Sequence, residues 1–386
     1  MAKKIYYSGV FVHNYIKNLL DNPPEGYEFI ISVDNKKKAL IDRLRGNRIV
    51  NFLYKRLIKR FFNAWEFINK GSKTAPQGID LIFSTDSIIE ENMPWIIKIL
   101  DNPFAMAGND YHLFRKNLNH LENALSSDNC KAIIVHTEAS KNLMEKYFSK
   151  EVAKKVTVVI PAIPGEIKAR PFHSGREFTI LFMGSTNNPE VFYLKGGIEA
   201  LETFKKLSEK YKNIKLIMRC KIPGEIISKY GKLRNVEFLE RRLSDEEMDN
   251  LYKNSDVLIS PGYNYFIMAY LEAFSYGIPV IALDTYGVSE FIHDGRNGFT
   301  VKPSKLLPIN RDDYPVNAIT PEFTNIIKRG DPEVIGKLAE KVSILVENRE
   351  LLKKFSEECQ KLFKEKHSFE RKQEKLKQIF DRATSR

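Results

Sequence analysis

Short apolar runs rich in Val, Ile and Phe recur along the chain, separated by stretches of helix length. In the first half they fall at Ile5–Ser8, Glu28–Val33, Ile79–Ser84, Trp95–Leu100, Lys131–His136 and Val156–Pro161. In the second half they fall at Phe178–Gly184, Ile214–Cys220, Val236–Leu239, Val257–Pro261, Pro279–Asp284 and Gly298–Val301. Most are continuous rather than strictly alternating, the pattern of strands covered by helices on both faces. Strands alternating with helical patterns predict βαβ units and parallel sheets. The fold class expected is therefore α/β, with two doubly wound, Rossmann-like domains in tandem.

The division between them is legible. Val156-Thr-Val-Val-Ile-Pro161 reads as a strand, and the proline-bearing stretch after it has little helical pattern. A new strand opens at Phe178, so the linker is placed near 162–176. The expected domains are 1–165 and 166–366, with a closing helix over 367–386. Residues 304–332 break the pattern and read as a long irregular insertion with room for one short helix. Ligands of such sheets bind beyond the carboxyl ends of the strands, and a cleft between two such domains is the expected site.

Composition narrows the classes. Of 386 residues, 43% are hydrophobic and 28% charged, with 20 Gly and 17 Pro, which excludes collagen-like and wholly disordered chains. No apolar run reaches the roughly 18 residues that a membrane span needs, and the first residues lack the features of a secretory leader. The three cysteines, Cys130, Cys220 and Cys359, are too few and too widely spaced for a disulfide framework or a zinc site. A reducing cytoplasm is the expected compartment.

Charge adds a second theme. The net charge is +12, and residues 36–60 hold ten basic side chains against one acid, a net of +9. A negatively charged surface is a plausible partner: anionic lipid head groups, an acidic polymer or, less favoured, nucleic acid. No recognition motif points to nucleic acid, and none is expected as a partner. At 100° per residue, Val50, Leu53, Tyr54, Leu57, Phe61, Ala64, Trp65 and Ile68 share one face, and Lys55, Arg56, Lys59 and Arg60 the other. Two readings stay open for Val50–Ile68: a helix docked on its own sheet with a solvated basic face, or one lying in an anionic lipid interface.

The chemistry concentrates at 257–301, which reads as strand, loop, helix, glycine turn, strand, glycine loop, helix. Gly277 followed by Pro279 is a helix stop. The loop 261–266 feeds a helix start near Met268, and a second helix is expected to start near Ser289. Two such N-termini would offer N–H groups and positive dipole ends to a diphosphate. Glu272, about one turn into its helix, can accept ribose hydroxyls. Ser244 with Glu247 is a capping box and marks a further helix start.

These residues resemble the carboxy-terminal domain of glycosyltransferase family 4, retaining enzymes of the GT-B fold. The resemblance rests on Leu271-Glu-Ala-Phe-Ser-Tyr-Gly-Ile-Pro-Val-Ile-Ala282, Gly287-Val-Ser-Glu290 and Asp294-Gly-Arg-Asn-Gly-Phe-Thr-Val301. Upstream, Ile180-Leu-Phe-Met-Gly184 leading to Lys195-Gly-Gly197, and Leu243-Ser-Asp-Glu-Glu247, match as well. The first half resembles the family only through its strand order and Val135-His-Thr-Glu-Ala-Ser140.

The resemblance implies two domains facing a central cleft, a closing helix over 367–386 that crosses back toward the first domain, and a nucleoside-diphosphate sugar as donor. It implies Lys195 on the donor diphosphate, Glu272 on the ribose, and Gly184 and Gly287 where backbone approaches phosphate or sugar. The donor side then comprises Gly184, Ser185, Lys195, Arg219, Asn264, Phe266, Ile267, Met268, Glu272, Gly287 and Glu290. Asn264 stands where the family places its first glutamate, Ile267 where it has a glycine, and Ser185 where it often has an arginine. Arg219 could supply the missing guanidinium. On the acceptor side stand Gly9, Asp101, His112 and His136, with a saccharide or lipid-linked acceptor. Asp101, Lys195 and Glu272 are the catalytic candidates, and front-face substitution without a metal is the implied mechanism.

Plain structural roles compete with each assignment. Lys195 can be a surface lysine, Glu272 a capping residue and Asp101 a turn residue. His112 and His136 can be structural, and Arg219 can pair with an acid. The departures also permit a non-catalytic scaffold that binds nucleotide or sugar beside a membrane or another transferase. A dehydrogenase reading is weaker still, because no Gly-x-Gly-x-x-Gly follows the first strand.

Overall fold

In a computed structural model the residues described are 2–9, 14–31, 75–100, 102–168, 170, 175–186, 189, 191–263, 266–306 and 321–385. The Val50–Ile68 helix, Asp101 and Asn264 lie outside the described residues, as do residues 307–320 of the 304–332 stretch. Two compact units divide the chain: Met1–Pro161 with Glu370–Arg386, and Ala162–Phe369.

The first unit holds β1 (Lys3–Ser8), β2 (Tyr27–Ile31), β3 (Leu81–Thr85), β4 (Trp95–Lys98), β5 (Cys130–Val135) and β6 (Val156–Val158). They form one parallel sheet in the order β2-β1-β3-β4-β5-β6. Every residue of β3 and β4 is buried, which explains their unbroken apolar runs. The closing helix Phe369–Thr384 belongs to this unit. Its alternating charges cover only one side. Leu376, Ile379, Phe380 and Ala383, at helical spacing, are buried. The Phe380 ring meets Tyr27, Phe29 and Phe83 edge-on, and the Tyr27 hydroxyl donates to Asp381 at 2.6 Å.

The second unit holds β7 (Phe178–Met183), β8 (Ile214–Arg219), β9 (Val236–Phe238), β10 (Val257–Ser260), β11 (Val280–Leu283) and β12 (Gly298–Val301). Their order is β12-β11-β10-β7-β8-β9, again all parallel. This is the Rossmann order, and its reversal point lies between β7 and β10. β10 and β11 are buried throughout, and the core extends into the helices Gly197–Lys210 and Pro332–Glu347. The expected capping box is present: Ser244 accepts from the Glu247 N–H, and Glu247 accepts from the Ser244 N–H.

One local expectation needs correction. The stretch after Gly287 forms only a single 3-10 turn, Val288–Glu290, not a helix. Asn297 ends it: its side chain accepts from the His293 N–H at 2.7 Å and donates to the Phe291 carbonyl at 2.9 Å. One turn has few aligned peptides, so the second helix dipole expected there is missing. Within 304–332, where one short helix is expected, the described residues hold the nine-residue helix Pro321–Arg329. Among the described residues no helix is long and apolar enough to cross a membrane, and all three cysteines are buried and free.

Candidate functional site

The reversal of strand order in the second unit splits the loops after β7 and β10, and ligands bind at such points. The β7 loop leads to Lys195 and the β10 loop to Phe266. The two meet: Lys195 Nζ lies 4.0 Å from the centre of the Phe266 ring. Backbone reinforces the contact, since the Tyr263 N–H donates to the Leu194 carbonyl at 3.1 Å. Gly196 follows Lys195 with φ 74°, and a Cβ there would stand 2.4 Å from the Pro261 carbonyl oxygen. Only glycine allows the two loops to approach so closely.

Glu272 lies on the helix Ile267–Ser275, which leaves Phe266 at its N-cap with no side-chain cap. Ile267 is buried and Met268 half-buried in the first turn, where the Ala269 N–H already donates to the Phe266 carbonyl at 3.0 Å. The Tyr252 hydroxyl donates to Glu272 Oε2 at 2.5 Å. Tyr252 in turn stacks on Tyr276 at 5.0 Å, and the Tyr276 hydroxyl donates to Asp249 at 2.8 Å. A carboxylate gripped in this way keeps one orientation. Sequence reasoning missed Tyr252, because no short motif links it to Glu272.

Lys195, Glu272 and Arg219 act on one another electrostatically. Burial lowers the Lys195 ammonium to about 8, and the Arg219 charge adds to this while Cys220 and Glu272 oppose it. Burial raises the Glu272 carboxyl, against the Tyr252 hydrogen bond and the charges of Arg219 and Lys195. Arg219 ends β8, and its buried Nε makes no hydrogen bond to any described residue. Two cations and one held carboxylate thus gather at the carboxyl ends of β7, β8 and β10. Such a set can hold an anion on one side and hydroxyls on the other.

The remaining donor-side candidates have structural duties. The Gly184 N–H donates to the Arg219 carbonyl at 2.9 Å, and a Cβ there would meet Cys220 Cβ at 2.4 Å. The Ser185 carbonyl accepts from the Lys221 N–H at 2.7 Å. Gly287 has φ 71° at the start of the 3-10 turn, and Glu290 ends that turn half-buried.

In the first unit Gly9 follows β1, and the Tyr7 ring fills the space a side chain there would need. His112 is exposed on the helix Tyr111–Lys116. His136, just beyond β5, is buried, and that burial with the charges of Lys98 and Lys372 holds its pKa well below the usual range. Its imidazole is therefore neutral at pH 7. Lys98, wholly buried on β4, has no counterpart in the sequence reading.

The second unit has the Rossmann strand order, with its charged side chains gathered at the reversal point. Residues 165–306 match the family described as glycosyl transferases group 1. Among curated proteins none matches the chain. Among solved structures, TarM aligns with a TM-score of 0.55 at 18% identity over 78% of this chain, which spans 54% of that protein's length. A glycosyltransferase from Rickettsia africae ESF-5 aligns with a TM-score of 0.61 at 15% identity, over 99% of this chain and 98% of the other. Anabaena Alr3699/HepE, solved in complex with UDP and glucose, aligns with a TM-score of 0.59 at 12% identity, over 99% and 100%. Likeness at these identities shows the fold, which is the GT-B class.

Proposed function

We propose that the protein is a retaining, metal-independent hexosyltransferase of family 4, moving a sugar from a nucleoside-diphosphate sugar to a saccharide or lipid-linked acceptor. The observation that carries this reading is the meeting of Lys195 and Phe266 at the reversal point, beside the held Glu272 carboxylate. In the proposed reaction the bond between the anomeric carbon and the diphosphate oxygen breaks. The acceptor hydroxyl attacks from the same face, and its proton passes to the departing diphosphate. Lys195 offsets the charge that grows on that diphosphate, from a position fixed before reaction begins. Arg219 shares this role, and Glu272 holds the ribose. The first unit takes the acceptor, with Asp101 and His136 as its polar groups. The basic 36–60 segment suits an anionic membrane surface on the cytoplasmic side.

The test is a thermal-shift panel of UDP-, GDP- and ADP-sugars on the wild type and Lys195→Ala. A ligand that binds the native state raises its melting temperature by mass action. A shift with one nucleotide class, lost in the variant, is expected. No shift with any of them overturns the donor site and favours a non-catalytic scaffold.

A further inference from the structure

Behind the donor site lies a polar cluster that the proposed reaction does not use. Glu199 and Tyr263 are both wholly buried, and the Tyr263 hydroxyl donates to Glu199 Oε1. Glu199 stands in the first turn of the helix Gly197–Lys210, directly after the Lys195 loop. Tyr263 ends the described part of the β10 loop, three residues before Phe266. Tyr263 is thus fastened to the Lys195 loop twice, by its N–H to Leu194 and by its hydroxyl to Glu199. Its ring packs edge-on against Phe323 at 5.6 Å. Asp331, also buried, faces the same cluster, accepts from the Ser304 hydroxyl and caps the helix Pro332–Glu347.

A buried glutamate is costly unless its environment repays it with specific hydrogen bonds. The Tyr263 hydroxyl is joined here by the backbone N–H groups of Glu199 and Asp331, which also act on the Glu199 carboxyl. We propose that Glu199 is a positioning residue for the donor site: through Tyr263 it fixes where the β10 loop runs, and so holds the Phe266 ring against Lys195. The claim rests on reading that site as the donor site, but the anchor itself can be tested without a donor. Ser304 and Asp331 tie the segment entering the Pro332–Glu347 helix into the same cluster.

Hydrogen exchange on the full chain tests the anchor. Tyr263→Phe keeps the ring on Phe323 and removes only the hydroxyl. Peptides covering 193–198 and 261–268 are expected to exchange about fivefold faster, with the rest of the second unit unchanged. Glu199→Gln retains an acceptor oxygen and is expected to restore wild-type exchange, whereas Glu199→Ala reproduces the loss. Unchanged exchange in Tyr263→Phe, or an increase spread evenly over the unit, overturns the proposal. Should Glu199→Ala fail to fold, Tyr263→Phe and Glu199→Gln still decide it. UDP titration is the second readout: Tyr263→Phe is expected to weaken binding about tenfold, with kcat held and KM raised. A wild type that binds no nucleoside diphosphate sinks the donor reading, and the exchange data then judge the anchor alone.

Discussion

The Lys195 ammonium sits 4.0 Å from the centre of the Phe266 ring, so the loops after β7 and β10 meet through a cation and a π face. An aromatic face attracts a cation without offering it a hydrogen-bond acceptor. The three N–H donors of the lysine are therefore not consumed by the contact that positions them. Replacing Phe266 by Leu keeps bulk and removes the face. A cation–π contact of about 0.5–1 kcal/mol predicts a two- to fivefold loss of UDP affinity, measured by calorimetry. An unchanged affinity would show that the ring does not position the lysine.

Burial lowers Lys195 from 10.5 to about 8, which fixes the sign of a pH effect. The native state binds this proton less tightly than the unfolded chain does. The resulting cost is present in full below about 8 and disappears as the pH rises to 10.5. A bound diphosphate stabilises the ammonium, so binding takes up a proton once the pH exceeds about 8. UDP affinity is expected to fall by up to about tenfold per pH unit above that point, and to stay flat in Lys195→Arg. Calorimetry in two buffers of different ionisation enthalpy reads the proton uptake directly.

Glu272, held by Tyr252 at 2.5 Å, is assigned to the ribose. Wild type should then prefer a ribonucleoside diphosphate over its 2′-deoxy form by about 1.5–3 kcal/mol, the scale of a hydrogen bond to a charged group. Glu272→Gln should reduce that preference, and Tyr252→Phe should do so partly, by freeing the carboxylate. Equal discrimination in all three proteins would remove Glu272 from the ribose.

Glu199 gives the opposite sign to a simple surface acid. Burial raises it from 4.5 to about 7, so the native state binds its proton more tightly than the unfolded chain. This contribution is complete below 4.5 and is lost as the pH rises to about 7. Relative to Glu199→Gln, wild type is expected to lose about 3 kcal/mol over that window. Denaturant titrations of both proteins at several pH values check it; parallel stability curves would place the Glu199 proton elsewhere.

The sequence by itself located the strands, because parallel strands buried on both faces must be apolar without interruption, as Val257–Ser260 and Val280–Leu283 are. It also marked the Ser244 helix start, since a capping box is a contact between near neighbours. The apolar stripe Leu376, Ile379, Phe380 and Ala383 was hidden under alternating charges, and its burial needed the first unit's sheet to be revealed. The turn after Gly287 was misread because what halts it is the side chain of Asn297, a residue with no helix-stopping signature of its own.

The site divides along the same line. Lys195 and Glu272 stood out in sequence through the motifs around them. Phe266 meets Lys195, and Tyr263 meets Glu199, only when β10 is laid beside β7, and Tyr252 reaches Glu272 only when the helices on either side of β10 pack together. Local pattern records period and burial, which each segment carries in its own residues. Strand order and register decide which loops face each other, and they arise from the packing of the whole sheet. Hydrogen bonds and charge effects depend on a few ångströms of separation, so tertiary structure alone decided which of the candidate side chains work together.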